Sequence, residues 1–404
     1  RIVFACLYLS EGAPIGFIWW AMPTVLRAAG HEVTGITRIT AALALPWMLK
    51  FLWAPLVDIC RGPRFGYRHW IIAAQVGMGL TFLPLIWFDA AAHVTLLAVL
   101  LFAHALCAAT QDVAIDAWAI SITPESERGR LTGAMQTGML IGRWLFGAGL
   151  LLVVDHLPPA VVISSLVAVI WITTSLVMLN PHEAPRNANG ESSINTFFRA
   201  LVAAFSQRAT WKGIAFALLG GAGFELVGGV AGPLLYDHGF AKSQVALFFT
   251  ISVIMMIAGA SLAGLAIDRL GHRRGVAGAL LVLCVAIVLL AVAASQHDLH
   301  DTTILKWAVF TLAEVVYFGI GAFVASTYAY FMDLTDPRLG GTQFSTFMGA
   351  TNGCEVCAVF VGGTLIVDRF SYPVAFTALA AASVLALLLL PASKQSSRTT
   401  AAGQ

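Results

Sequence analysis

Eight ionisable side chains stand inside long apolar runs of this sequence: Glu11, Lys50, Asp112, Asp116, Arg143, Glu225, Glu314 and Glu355, with Asp333 closing one run. Each costs roughly 2.5–3.5 kcal/mol to place in a lipid-crossing helix, so each needs a partner or a use. Asp112 and Asp116 are one helical turn apart and share a face. Two carboxylates held close suit a group that binds and releases a proton. The alternative, better suited to Asp116 at the end of its run than to the deeper Asp112, is capping of the helix end and pairing with a loop arginine such as Arg128. Glu11 precedes G-A-P-I-G and Glu225 precedes L-V-G-G-V-A-G, so both sit beside bendable helix. Backbone opened at such breaks is tolerated where it faces protein or a water-filled cavity; the competing use of the glycines is close helix packing. The proton-coupling candidates are therefore Glu11, Asp112, Asp116, Glu225, Glu314 and Asp333.

Lys50 and Arg143 are the cations deepest in the runs, and such charges suit a ligand carrying carboxylates. Trp47, Trp118 and Tyr317 share segments with the buried charges and offer flat faces. Gln136 and Gln343 each enter a helix after matching turns, D-A-W-A-I-S-I-T-P-E-S-E-R-G-R-L-T-G-A-M-Q and D-L-T-D-P-R-L-G-G-T-Q. Together with Glu355 these make up the solute-binding candidates.

The elements that must position these residues follow from composition. A chain of 404 residues with 59% hydrophobic and 11% charged residues, at a mean hydropathy of +0.83, uses lipid as its solvent. Twelve runs are long enough to span, near 2–28, 36–60, 69–88, 93–116, 131–154, 158–179, 211–236, 243–268, 276–295, 304–331, 343–367 and 372–391. They lack the alternation of a barrel. The expected fold is an all-α membrane protein of two pseudo-symmetric six-helix bundles, residues 1–180 and 211–392. A polar linker over 181–210 joins the bundles and a tail follows over 393–404. Most Lys and Arg residues fall in the even-numbered loops, the linker and the tail, which places both termini in the cytoplasm. No cleavable signal peptide is visible.

Several function classes lose support at this stage. The net charge of +2 is spread along one membrane face and does not make a nucleic-acid patch. His69, His93, His104 and His156 are scattered, so no metal site is expected. Cys354 and Cys357 have C-x-x-C spacing but lie in an apolar run without a second pair, which reads as inert buried thiols. No P-loop G-x-x-x-x-G-K-[ST] is present. An intramembrane transferase using Asp112 and Asp116 or His104 is a rival, and a transporter-like receptor another.

One signature occurs twice. Residues 55–68 read P-L-V-D-I-C-R-G-P-R-F-G-Y-R and residues 264–274 read G-L-A-I-D-R-L-G-H-R-R. Pro23 and Pro233 precede Asp58 and Asp268 at equal separation, so the chain reads as two copies of one half. An enzyme has no evident need for the duplication.

Twelve spans with G-x-x-x-D-R-x-G-x-R-R complete at 264–274 and degenerate at 55–68 resemble the major facilitator superfamily. The strings L-P-W-M-L-K-F-L-W-A-P-L-V-D, A-T-Q-D-V-A-I-D-A-W and P-E-S-E-R-G are similar to the AmpG-type muropeptide permeases and the wider peptide and acetyl-CoA transporter group, which includes siderophore permeases. The resemblance implies a cytoplasmic latch of Asp58, Arg61 and Arg68 in one half and Asp268, Arg269, Arg273 and Arg274 in the other, the degenerate Asp58 copy mattering less. It further implies a monomeric, proton-coupled importer of a bulky anionic solute in the bacterial inner membrane. An anhydromuropeptide is the leading solute and a ferric siderophore the alternative, with no cofactor. In that fold the second and eleventh spans face one another, so Lys50 and Glu355, at matching depth, are expected to pair, the alternative being that Glu355 bonds to Asn352 or a nearby hydroxyl while Lys50 snorkels.

Overall fold

The structure, a computed structural model, describes residues 1–28, 33–60, 65–88, 92–153, 156–179, 194–296, 303–367 and 369–391. Among them there is helix and no strand. The first half carries α1 (Ile2–Gly16), α2 (Met22–Ala28), α3 (Val33–Leu49), α4 (Ala54–Ile59), α5 (Tyr67–Phe82), α6 (Val94–Ile122), α7 (Arg128–Phe146), α8 (Ala148–Leu151) and α9 (Pro159–Leu179). After α10 (Ile194–Phe205) come α11 (Arg208–Leu219), α12 (Ala222–Asp237), α13 (Lys242–Leu270), α14 (His272–Ala294), α15 (Thr303–Leu334), α16 (Gly340–Ala358) and α17 (Tyr372–Ala386). Helices satisfy their own backbone polar groups, which lipid cannot do.

Ten stretches of the described residues are long and apolar enough to cross a membrane. The two predicted runs that fall short are 36–60 and 131–154, for different reasons. Between α3 and α4 a 3-10 turn over Lys50–Leu52 interrupts the first, with Pro46 inside α3 and Pro55 in the first turn of α4. The second carries Arg143, lies on α7, which opens with Arg128 and Arg130 just before the run, and breaks at Gly147 before α8. Two other spans carry π-helical turns, Phe17–Ala21 directly after Gly16 and Val359–Val367 across Gly362 and Gly363.

The helices form two compact units whose make-up does not follow the linear halves. Unit 1 takes the described residues of Arg1–Pro124, Ala134–Val202 and Thr335–Thr346; unit 2 takes those of Glu125–Gly133, Ala203–Leu334 and Phe347 onward. Each unit thus holds one short segment that the sequence assigns to the other half. Part of the expected linker, Ile194–Phe205, is itself helix.

In unit 1, Met78, Phe82, Leu101, Leu166 and Ile170 from α5, α6 and α9 make one buried apolar core. Against α7, α1 packs backbone to backbone: a Cβ on Gly12 would lie 2.1 Å from the Met139 carbonyl oxygen, and one on Gly138 2.0 Å from that of Ala5. The small-residue reading of G-A-P-I-G is therefore correct, without displacing Glu11 from its polar role. In unit 2, Phe248 of α13 stands edge-on to Phe310 and Tyr317 of α15, while Leu283 and Ile287 of α14 are fully buried. Gly271, at φ 85°, makes the whole connection between α13 and α14, a left-handed position that glycine adopts without steric cost.

Candidate functional site

The polar centre of unit 1 is assembled from three elements. Lys50 sits in the turn that interrupts the second predicted span, and its ammonium donates to Asp112 Oδ2. Both side chains are buried, at 2% and 7% exposure. One turn along α6, Asp116 Oδ1 accepts from Tyr8 Oη at 2.5 Å, and the two carboxylates are themselves neighbours. Glu11, one turn beyond Tyr8 on α1, is buried with Oε2 lacking a hydrogen-bond partner. It lies within electrostatic reach of Asp112, Lys50 and Asp116. The structure thus gathers Glu11, Asp112, Asp116 and Lys50 in one place, three acids around one amine.

This arrangement alters two sequence expectations. Because α6 continues to Ile122, Asp116 lies inside the helix and is fully buried rather than capping its end. Arg128 is engaged elsewhere, as described below. The partner of Lys50 within its own unit is Asp112, and the Glu355 side chain of the other unit is exposed.

The remaining solute-binding candidates take varied places. Trp47 is half-buried, edge-on to Trp19 at 5.5 Å, and Arg143 is half-buried in α7. Trp118 is buried against Phe4 with ring centroids 5.0 Å apart, a core side chain rather than an open face. Tyr317 is buried beside Phe248. Gln343 accepts from the Asp336 backbone N–H at 2.8 Å and so fastens the turn before α16; Gln136 is half-buried in α7. Among the proton-coupling candidates of unit 2, Glu225 is half-buried in the first turn of α12. Glu314 is buried without a hydrogen-bonded donor on either oxygen, next to Ser252. Of the two C-x-x-C thiols, Cys354 is buried but Cys357 is exposed, because the pair straddles a helix turn with one side facing outward.

Each latch aspartate caps the first turn of a helix that the sequence assigns to the other half. Asp58 accepts from the backbone N–H groups of Gly341 and Thr342 at 2.9 and 2.7 Å, from Thr342 Oγ1 at 2.7 Å and from Tyr67 Oη at 3.1 Å. Asp268 accepts from the backbone N–H groups of Gly129 and Arg130 at 2.8 and 3.1 Å. Helix N-termini present unpaired N–H groups and a positive dipole end, so a carboxylate is the natural cap. The degenerate copy is the one with more donors on its aspartate.

The arginines of the signature serve other ends. Arg68 donates to the carbonyls of Val177 and Met178 at the end of α9, and Arg273 to that of Leu390 at 3.4 Å. Arg269 and Arg274 are exposed; Arg61 lies outside the described residues. Asp333 belongs with the Asp268 cap, accepting from Arg128 Nη1 at 2.9 Å and lying 2.5 Å from His272 Nδ1.

Residue-by-residue reading of the sequence passed over Tyr8, Gln75, Arg130 and His272. Tyr8 had a signal, one turn from Glu11 on α1. Gln75, fully buried, joins three helices by donating to Ser10 Oγ at 3.2 Å and Thr173 Oγ1 at 3.1 Å; no spacing announces such a contact.

Comparison with known proteins shows the family and the fold. Residues 2–229 and 217–404 match the family described as Major Facilitator Superfamily. The chain is 22% identical over 387 residues to the putative transporter AmpG 3 of Rickettsia typhi, covering 92% of this chain and 90% of that protein. Its fold is similar to that of the proton:xylose symporter XylE, with a TM-score of 0.71 at 14% identity over 96% of this chain and 94% of that one. The human organic anion transporter MFSD10 is similar to the same degree, TM-score 0.71 at 14% identity, over 96% of this chain and 98% of that one.

Proposed function

The chain belongs to the major facilitator superfamily, and from that premise we propose that it is a proton-coupled secondary importer of a bulky anionic solute, an anhydromuropeptide-type sugar-peptide. The protein is a multi-span membrane transporter and not an enzyme, as are the proteins it resembles. Twelve crossings in two bundles, both termini in the cytoplasm of a bacterial inner membrane and a monomeric working form complete the reading. The relatives named as putative AmpG transporters support the solute class.

The observation that carries the reading is the buried Lys50–Asp112 bond with Glu11 and Asp116 beside it. Three acids and one amine are electroneutral when two of the acids hold protons, so the cluster has room for protons that a simple ion pair lacks. A solute carboxylate arriving at Lys50 competes with Asp112 for the ammonium. Displaced from its cation, Asp112 is a buried carboxylate without a countercharge, and a proton relieves the cost. Solute and proton therefore load together, and release of one on the inner side favours release of the other. A carrier that moves both must alternate access rather than hold a pore open, which suits the two capped segments as latches on the cytoplasmic side.

Purified protein in proteoliposomes, supplied with labelled anhydromuropeptide, should accumulate it when an inward proton gradient is imposed and only equilibrate it when a protonophore is added. Accumulation that ignores the gradient overturns the coupling. Thermal stabilisation by a ferric siderophore and not by the anhydromuropeptide overturns the solute class.

A further inference from the structure

The second signature contains a histidine, G-H-R-R, that neither the latch nor the transport cluster has used. His272 opens α14, is 7% exposed, and has a carboxylate at each ring nitrogen: Asp333 Oδ2 at 2.5 Å from Nδ1 and Asp268 Oδ1 at 3.2 Å from Nε2. A neutral imidazole owns one N–H and one lone pair, whereas imidazolium owns two N–H groups. Either neutral tautomer therefore turns a lone pair toward a carboxylate oxygen, and the protonated ring alone donates to both. The oxygen facing Nε2 is the same Asp268 Oδ1 that accepts from the Gly129 backbone N–H at 2.8 Å. What happens at the ring is thus felt directly at the cap.

We propose that His272 is the positioning residue of the Asp268 cap: its protonated ring holds Asp268 on the first turn of α7, and its neutral ring pushes Asp268 away and frees that turn. This rests on the latch reading above. The groups facing the imidazole are Asp268 of α13, Asp333 of α15, Arg128 through its bond to Asp333, and Arg130, whose Nε lies 3.6 Å from Asp268 Oδ2. Tyr330 lies within electrostatic reach of both Asp333 and Arg273. Two guanidiniums balance two carboxylates, so the ring proton is the variable charge of the cluster. Asp58 has no such neighbour among its hydrogen-bond donors, which are two backbone N–H groups, a threonine and a tyrosine. Acidification of the compartment that the cap faces would hold the second latch shut, throttling a carrier that itself delivers protons there.

The test needs no solute. Spin labels on cysteines introduced at Ser126, beside the capped turn, and at Leu388, in a background with the native cysteines replaced, report the distance between the α7 start and the rest of unit 2. We expect the latched population to dominate at about pH 5.5 and the latched-to-released ratio to fall about tenfold or more by about pH 8.5, either side of the ordinary imidazole range. His272→Gln, and His272→Asn as a second variant, should make the ratio independent of pH. A parent whose distances are the same at both pH values overturns the inference, and so does a folded variant that keeps the parental response. Asp268→Asn separates the two readings. Released distances in that variant at about pH 5.5 uphold the latch whatever His272 does, whereas unchanged distances sink the latch itself.

Discussion

Unit 1 has a cation in its interior and a cap built from neutral donors; unit 2 has an interior acid without an ion pair and a cap surrounded by charge. Lys50 meets three carboxylates in the first, whereas Glu314 sits beside Ser252 in the second. At the caps the order reverses. Asp58 is held by Gly341, Thr342 and Tyr67, Asp268 by Gly129 and Arg130 together with His272. The signature is repeated in the sequence, yet the charged groups gather at the interior of one unit and at the cap of the other. The buried amine–carboxylate cluster is thereby in unit 1, and the histidine between two carboxylates is in unit 2.

The largest effect tests the interior contrast. Lys50→Ala leaves Asp112 buried without its cation and should lower stability by about 3–5 kcal/mol, seen as a large fall in melting temperature and loss of solute uptake. Adding Asp112→Asn should restore much of the stability and none of the gradient-driven accumulation. Glu314→Gln, by contrast, breaks no ion pair and should change stability by less than about 1 kcal/mol. Equal losses at Lys50 and Glu314 would erase the distinction between the units.

Next come the caps. Asp58→Asn turns an acceptor of four hydrogen bonds into a group that presents its own N–H to other donors, and should weaken its latch by about 3 kcal/mol. Asp268→Asn should cost about 2 kcal/mol, with two backbone bonds and the His272 contact at stake and the longer, more exposed Arg130 pair adding little. Uptake rates at matched expression check the order. The sequence, read through the completeness of each signature, predicts the reverse, so a slower Asp268→Asn would favour motif completeness over donor count.

Steric room sharpens the same contrast at lower cost. A Cβ on Gly129 would meet Asp268 Oδ1 at 2.6 Å and the Gly264 carbonyl oxygen at 2.8 Å, whereas one on Gly341 would meet Asp58 Oδ1 at 3.0 Å. Gly129→Ala should therefore destabilise by about 2 kcal/mol, and Gly341→Ala by about 1 kcal/mol or less, in a melting comparison. A change of similarly small size is expected at Thr342→Val, which removes one hydroxyl donor from Asp58 and leaves both backbone bonds, for about 1 kcal/mol. A thermal shift as large as that of Asp58→Asn would mean that the hydroxyl, not the helix N-terminus, holds the aspartate.

How much of this was legible in the sequence depends on the range over which each contact acts. Class, helical architecture and the repeated signature are local properties: apolar run length, basic loop residues, and a glycine after Asp268 that the α13–α14 connection requires. The candidate acids were legible too, because an ionisable residue in an apolar run is conspicuous wherever it packs. Partner choice was not, since it joins residues far apart in the chain. Lys50 with Asp112, Tyr8 with Asp116 and Arg128 with Asp333 are separated by 62, 108 and 205 positions. Nor could run length show that a turn at Lys50 interrupts its span, or that α6 carries Asp116 inward beyond the expected helix end. The sequence by itself determined which groups must be satisfied in lipid. Tertiary structure alone decided by what, because desolvation is paid by each residue separately, while a hydrogen bond exists only where folding brings two of them within about 3 Å.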